Sequence, residues 1–278
     1  MRTLLILTCA HDLCLTRNLF KRIARVDGWQ YFTHVHLHLD HDVSFGAAKS
    51  LLAPLIPYSE QNIRLTRSDE FDAWHTRRTE TMLIIYKLAC SLNQDIVRLD
   101  PDLYIVSSEF FEALIKPSAA IAGKLMPLYP PAFIQGRRFD FIQGGASYWG
   151  EEGRAYLQGL RVSKLDYFRR TYKNLVDISF PDRRNEYEYF FNNAEDVLLS
   201  GALAIIAGIE RTNIPRLQVS SYDIMPDYRS EKWAYTDFVA SYVASGALAY
   251  HFEGAHDGRR ALMTKMLQQF YWEQDSLK

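Results

Sequence analysis

Residues 3–106 alternate between apolar, β-rich runs and helical stretches, and that alternation leaves the chain few architectures. Residues 3–8 form the first apolar run and end in the polar cluster Ala10-His11-Asp12. A helical stretch follows at 15–25. Residues 31–39 read as a second strand, and Leu65-Thr66 as the end of a third. Residues 79–92 read as a helix, with Met82, Leu83, Tyr86, Ala89 and Cys90 at apolar positions. Residues 96–106 form the next strand. The pattern predicts an α/β fold, with a mostly parallel central sheet flanked by helices. Ligands of such sheets collect at the carboxyl ends of the strands. Beyond residue 108 prolines shorten the elements. With no repeat and no linker, one domain over residues 1–278 in two halves, 1–108 and 109–278, is the simplest division.

Composition narrows the partners. The formal net charge of −1 gives no basic footprint for a nucleic acid. Three cysteines, Cys9, Cys14 and Cys90, make neither a disulfide framework nor a metal-binding spacing. The apolar run at 3–10 is too short for a signal peptide, and no run reaches the ~18 residues of a membrane span. These features lead to an expectation of a cytoplasmic protein.

Chemistry concentrates in four segments. The strand 96–106 carries Asp100-Pro101-Asp102. In an extended backbone residues i and i+2 project to one side, so two carboxylates there suit a hard divalent cation. A turn is the structural alternative, and Pro101 favours one. Gln143-Gly144-Gly145-Ala146-Ser147-Tyr148-Trp149 offers glycines for close backbone approach and two aromatics as a wall for a sugar ring. Glu195-Asp196 precedes an apolar helical run at 196–208. Acids there cap a helix or take a proton as general base. His251 and His256 flank Gly254 in a cluster with Glu253 and Asp257, and either histidine can complete a metal shell.

The order of these pieces resembles the GT-A glycosyltransferases, in the flavour of the inverting, metal-dependent fringe-like and galactosyltransferase-type enzymes. The resemblance implies a Rossmann-like nucleotide-binding half at 1–108 and an acceptor half at 109–278. It implies a hexose moved from a nucleotide diphosphate sugar, UDP-linked, to a glycan or lipid-linked saccharide, with inversion. Mn²⁺ or Mg²⁺ would be held by Asp100 and Asp102, with His251 or His256. Asp196 would be the base and Glu195 its substitute. Gly144, Gly145 and Ala146 would line the donor sugar, and Thr8, Ala10, His11 and Asp12 would face base and ribose. Arg77, Arg78 or Lys87 would meet phosphate or else lie on a solvated helix face. The chain departs from the pattern in a long Arg- and Tyr-rich stretch at 150–193, which bears on the acceptor.

Two other readings compete. His36-Leu37-His38-Leu39-Asp40-His41 matches the H-x-H-x-D-H pattern of metallo-β-lactamase-like zinc hydrolases. Its plain alternative is a strand with imidazoles on one face. A non-catalytic nucleotide-sugar or glycan-binding protein on the same fold is the third. The segment 259–272, with Arg259, Arg260 and Lys265 beside Met, Phe, Tyr and Trp, reads as a helix that packs on the core or touches a membrane surface.

Overall fold

The computed structural model describes residues 1–57, 62–68, 78–220, 223 and 235–252. Strands β1 (Arg2–Thr8), β2 (His34–Leu39), β3 (Ile63–Arg67) and β4 (Asp95–Leu99) are interleaved with helices α1 (Leu13–Arg25), α2 (Phe45–Leu52) and α3 (Arg78–Cys90). They pair in parallel in the order β3-β2-β1-β4. Parallel neighbours need long crossovers, and the intervening helical segments belong to these.

Next come β5 (Leu103–Ile105), α4 (Glu109–Leu114), β6 (Ile121–Pro127), the hairpin β7 (Ala132–Ile134) and β8 (Arg137–Arg138), and the long β9 (Asp140–Trp149). Helices α5 (Glu151–Gly159) and α6 (Val162–Leu175), strand β10 (Val176–Ile178) and α7 (Arg184–Asn193) follow. A π-helical stretch, Val197–Ala202, runs into α8 (Leu203–Ile206). The described chain closes with β11 (Arg211–Asn213), β12 (Val219–Ser220), α9 (Tyr235–Ala244) and β13 (Ala249–His251).

The main sheet has the order β11-β6-β9-β4-β1-β2-β3, and only β9 runs against its neighbours. It draws strands from both sides of residue 108. Two three-stranded sheets, β10-β7-β8 and β12-β13-β5, attach to it. The expected α/β architecture is present.

Both faces of the central strands are covered, which is why they read as continuous apolar runs. Leu4 and Ile6 of β1, with Val97 and Leu99 of β4, pack with Leu19, Phe20 and Ile23 of α1. Leu5 and Ile96 point the other way, into a cluster with Met82, Tyr86, Trp149 and Leu157. Leu19 is fully buried, and truncating such a leucine to alanine costs roughly 2–5 kcal/mol.

Three expectations change in detail. The strand at 96–106 is two strands with a turn between them. The glycine segment at 143–149 lies within a long strand, Asp140–Trp149. The helix at 196–208 starts as a π-helix. Gly201 makes this packing possible: a Cβ there would lie 2.7 Å from the Phe139 ring and 3.0 Å from Phe141 Cβ, so the helix rests directly on β9.

The zinc-hydrolase pattern is resolved by β2. Val35, Leu37 and Leu39 enter the core, while His36 and His38 face β3 side chains. His36 Nε2 and His38 Nδ1 both hydrogen-bond Thr66 Oγ1, at 2.7 and 2.8 Å, and His38 Nε2 meets Ser68 Oγ at 2.9 Å. Asp40 instead accepts the backbone N–H of His41 at 2.7 Å and pairs with its ring. A strand separates these imidazoles from a ligand role because its alternation commits them to a buried hydroxyl network. His36, His38, Asp40 and His41 do not form a metal cluster in the structure.

That network carries a pH signature. Burial, with Arg64 and His38 adding to it, lowers the His36 pKa to about 3. Burial, partly opposed by Asp40, lowers His38 to about 4. Both rings fold neutral, so the unfolded chain binds more protons below its ordinary histidine pKa of about 6.5. Their contribution to stability is complete above that value and falls as pH drops toward about 4 and then 3. Urea titrations should show a loss on the order of several kcal/mol across that window. A His36→Gln, His38→Gln double variant should show a much shallower acid slope, and an unchanged slope would refute the assignment.

Candidate active site

Asp100 and Asp102 converge for a reason other than strand alternation. β4 leaves the main sheet at Leu99, and Asp100 N still donates to Gly145 O at 2.8 Å. The chain then turns, with Leu103 N donating to Asp100 O at 3.3 Å, and β5 joins a different sheet. There Leu103 stands opposite His251 of β13, and Phe252 N donates to Asp102 O at 3.1 Å. Pairing of β5 with β13 therefore carries a histidine from the far end of the sequence to the turn. His251 Nε2 lies 3.2 Å from Asp102 Oδ1 and 3.7 Å from Asp100 Oδ2.

One ligand atom from each of Asp100, Asp102 and His251 falls within 4.8 Å of the others. Two carboxylate oxygens and an imidazole nitrogen make a donor set that Mn²⁺ accepts, and Mg²⁺ less readily because it favours oxygen alone. The carboxylates are partly open to solvent and the imidazole is buried, so the set is fixed on one side and accessible on the other.

β9 supplies the floor. Gly123 of β6 pairs with Ser147, but Leu125 pairs with Ile142. Lys124 alone thus stands opposite Gln143, Gly144, Gly145 and Ala146, and the surplus residues bulge out of the ladder. Gly145 takes φ +98°, and a Cβ on it would lie 2.7 Å from Gln218 Oε1 and 2.8 Å from His251 Nδ1. A Cβ on Gly144 would sit 3.7 Å from both Asp100 Oδ2 and Asp196 Oδ2. Glycine is required at 145, where both the φ and the approach of Gln218 and His251 exclude a side chain, whereas a Cβ at 144 would meet the acidic groups at ordinary contact distance.

The two backbone amides of this bulge are used. Gly145 N donates to Asp100 Oδ2 at 2.9 Å, and Gly144 N donates to Asp196 Oδ2 at 3.1 Å. Asp196 Oδ1 accepts Val197 N at 2.9 Å, capping the π-helix. Glu195 is buried and points elsewhere, toward Arg98.

Arg98 and Gln218 are the residues that motif reading passed over. Arg98 is buried in β4; its Nη2 lies 2.7 Å from Asp100 Oδ1 and 3.4 Å from Glu195 Oε1. Burial opposes its charge, and Asp100, Tyr86, Glu195 and Asp196 more than offset that, so its pKa rises. Gln218, 1% exposed, donates from Nε2 to Gly144 O at 2.5 Å and holds the bulge from below. The available signal was a charged residue in the apolar run Ile96-Val97-Arg98-Leu99 and a polar one between Leu217 and Val219.

The remaining expected positions divide. Ile6 pairs with Leu99, so the loop after β1 stands beside the Asp100 turn. In it Ala10 N donates to Asp42 Oδ1, and Cys9 Sγ contacts Asp12 Oδ2 at 3.1 Å. The Thr8 hydroxyl is buried against Thr16. The side chain of His11 lies outside the described residues. Ala146 is buried, and Tyr148 and Trp149 are core residues rather than a sugar wall, because β9 is covered on both faces. Lys87 Nζ donates to Leu160 O and ties α3 to the end of α5, away from any phosphate role. Arg77, His256, the side chain of Arg78 and the segment 259–272 lie outside the described residues.

No protein-family model and no curated protein sequence matches the chain. Solved structures do. The galactosyltransferase LgtC, in complex with donor and acceptor sugar analogs, is 12% identical, with a TM-score of 0.50 over 96% of this chain and 95% of that one. An active-site mutant of LgtC aligns with a TM-score of 0.52 over the same shares, again at 12% identity. At that identity the likeness is one of fold. With its mostly parallel central sheet flanked by helices, the chain has the fold of the GT-A glycosyltransferases.

Proposed function

We propose that this protein is a metal-dependent glycosyltransferase that moves a hexose from a nucleoside diphosphate sugar, with uridine as the expected nucleoside, to a glycan or lipid-linked saccharide hydroxyl. The observation that carries the proposal is the closure of Asp100, Asp102 and His251 to within 4.8 Å at the carboxyl edge of β4. Mn²⁺ is the ion that best suits this mixed oxygen and nitrogen set, with Mg²⁺ as the alternative. When bound there, the cation would offset the negative charge developing on the diphosphate.

The chain's own groups divide the remaining work. Arg98 holds Asp100 in place through its 2.7 Å ion pair. The backbone of Gly144 and Gly145 offers a flat approach for the sugar, with no side chain to exclude it. In the transfer the acceptor oxygen bonds to the anomeric carbon and the bond from that carbon to the diphosphate oxygen breaks. The diphosphate leaves with the electron pair, and the acceptor proton passes to a base. In the proposed arrangement that base is Asp196 and the product is inverted. Each Asp196 oxygen accepts one backbone N–H, which fixes the carboxylate and leaves a lone pair on each oxygen for the acceptor proton. A lipid-linked acceptor would place the protein at the cytoplasmic face of a membrane. Among the described residues, no helix is long and apolar enough to cross one.

Three outcomes test the proposal. In a panel of nucleotide sugars with Mn²⁺, Asp102→Asn should lower both transfer and donor hydrolysis by at least about 100-fold while circular dichroism stays native. Wild-type turnover in that variant would remove the site. Gly145→Ala should weaken Mn²⁺ binding by at least about tenfold, read from free Mn²⁺ by electron paramagnetic resonance, because its Cβ displaces His251. Unchanged affinity would dissociate the bulge from the ion. Proton NMR of the first-formed product should show the anomeric configuration opposite to the donor's, and retention would remove Asp196 as the base.

A further inference from the structure

The sheet β10-β7-β8 lies outside the site and has one buried and one open face. Ala132, Ile134 and Val176 are buried beneath it. On the open face Phe133 of β7 pairs with Asp177 of β10 on one side and with Arg138 of β8 on the other. Paired residues on neighbouring strands share a face, so a carboxylate, an aromatic ring and a guanidinium form one row. All three are exposed, and Phe133 keeps 36% of its surface open. Phe133 and Asp177 of this row line a cleft of about 650 Å³, together with Gln135, Lys173 and Asn174. At the other end of the same small sheet Tyr129 and Phe180 are 71% and 50% exposed, and the Arg183 guanidinium lies 5.2 Å from the Tyr129 ring centre.

We propose that this cleft is a second saccharide-binding site, which takes a neutral part of the acceptor chain remote from the hydroxyl that is glycosylated. A sugar ring presents an apolar CH face and a girdle of hydroxyls. Phe133 matches the first, and the planar polar groups of Asp177, Gln135 and Asn174 match the second, each with paired acceptors or with an acceptor beside a donor. A protein partner fits less well, since the cores of protein interfaces are depleted of charge and here charge adjoins the ring directly. The cleft's size falls within the range of small-molecule sites.

Its place in the fold supplies the link to catalysis. β9 runs antiparallel to β4, with Ala146 opposite Leu99. The Asp140 end of β9 therefore projects beyond the carboxyl edge of β4, on the same side as the acidic turn. The β7–β8 hairpin feeds that end through Phe139. Along the chain from Gly144 to Arg138, the strand partner of Phe133, the distance is at most about 20 Å, and one strand spacing of about 5 Å more reaches Phe133, within the span of an oligosaccharide of several residues. The assignment to an acceptor rests on the transferase reading, whereas the assignment to a saccharide does not.

The test separates the two. Neutral hexose and N-acetylhexosamine di- to hexasaccharides, arrayed on a surface, are probed with the labelled full chain. The Asp102→Asn protein should still bind at least one of them, and Phe133→Ala should weaken that binding by about tenfold or more, with Asp177→Asn weakening it less. No binding by any panel member, or equal binding by the Phe133→Ala protein, would overturn the proposal. With a sugar donor, Phe133→Ala should raise KM for long acceptors and leave kcat, and the kinetics of short acceptors, unchanged. Equal effects on short and long acceptors would overturn the acceptor role. Panel binding that depends on Phe133 in a protein that transfers nothing would support the cleft and count against the transferase reading instead.

Discussion

A buried guanidinium in the middle of an apolar sheet organises the site. Arg98 cannot lose its charge, and leaving that charge unpaired in the core would cost several kcal/mol. Its Nη2 is answered by Asp100 and Glu195, which come from different elements. The need to neutralise one side chain thus draws the end of β4 and the start of the π-helix to one point. Asp100 is in turn anchored by Gly145 N, and Asp196, next to Glu195, by Gly144 N. The acidic turn, the bulge and the helix start form one connected network, in which removal of any member leaves another group unsatisfied.

Geometry at the sheet edge does the rest. If β4 continued straight through Asp100 and Asp102, their carboxylates would share a face, but His251 would have no strand to bring it near. The turn lets β5 change sheets and pair with β13, and this places Leu103 opposite His251. The surplus residues of β9 fill the room that the turn opens. Irregularity in two strands, not regular alternation, makes the cluster.

Comparison of the two histidine-bearing motifs shows how far local sequence carries. The run at His36 matches a metal pattern letter for letter, and its imidazoles are committed to Thr66 and Ser68 inside the sheet. His251 sits in no comparable pattern and reaches the two aspartates. Spacing along a strand fixes which face a side chain takes. It does not fix what the next strand offers on that face.

The alternation of elements, the parallel core, the aspartate pair and the glycine pair were legible in residues 3–149, because burial on both faces and backbone freedom leave direct marks on composition, whereas the turn between the aspartates was only the alternative to a continuous strand. The acids before the helix at 196 and the late histidine were also visible, though without their partners. What only the tertiary structure decided was convergence. The pairing of β5 with β13, the bulge opposite Lys124, the burial of Tyr148 and Trp149, and the placement of Arg98 and Gln218 all depend on contacts between residues far apart in the chain. Local propensity records what a residue prefers among its neighbours in sequence. Which carboxylate meets which amide or guanidinium is set by packing and charge neutralisation across the sheet, and those act only once the chain has folded.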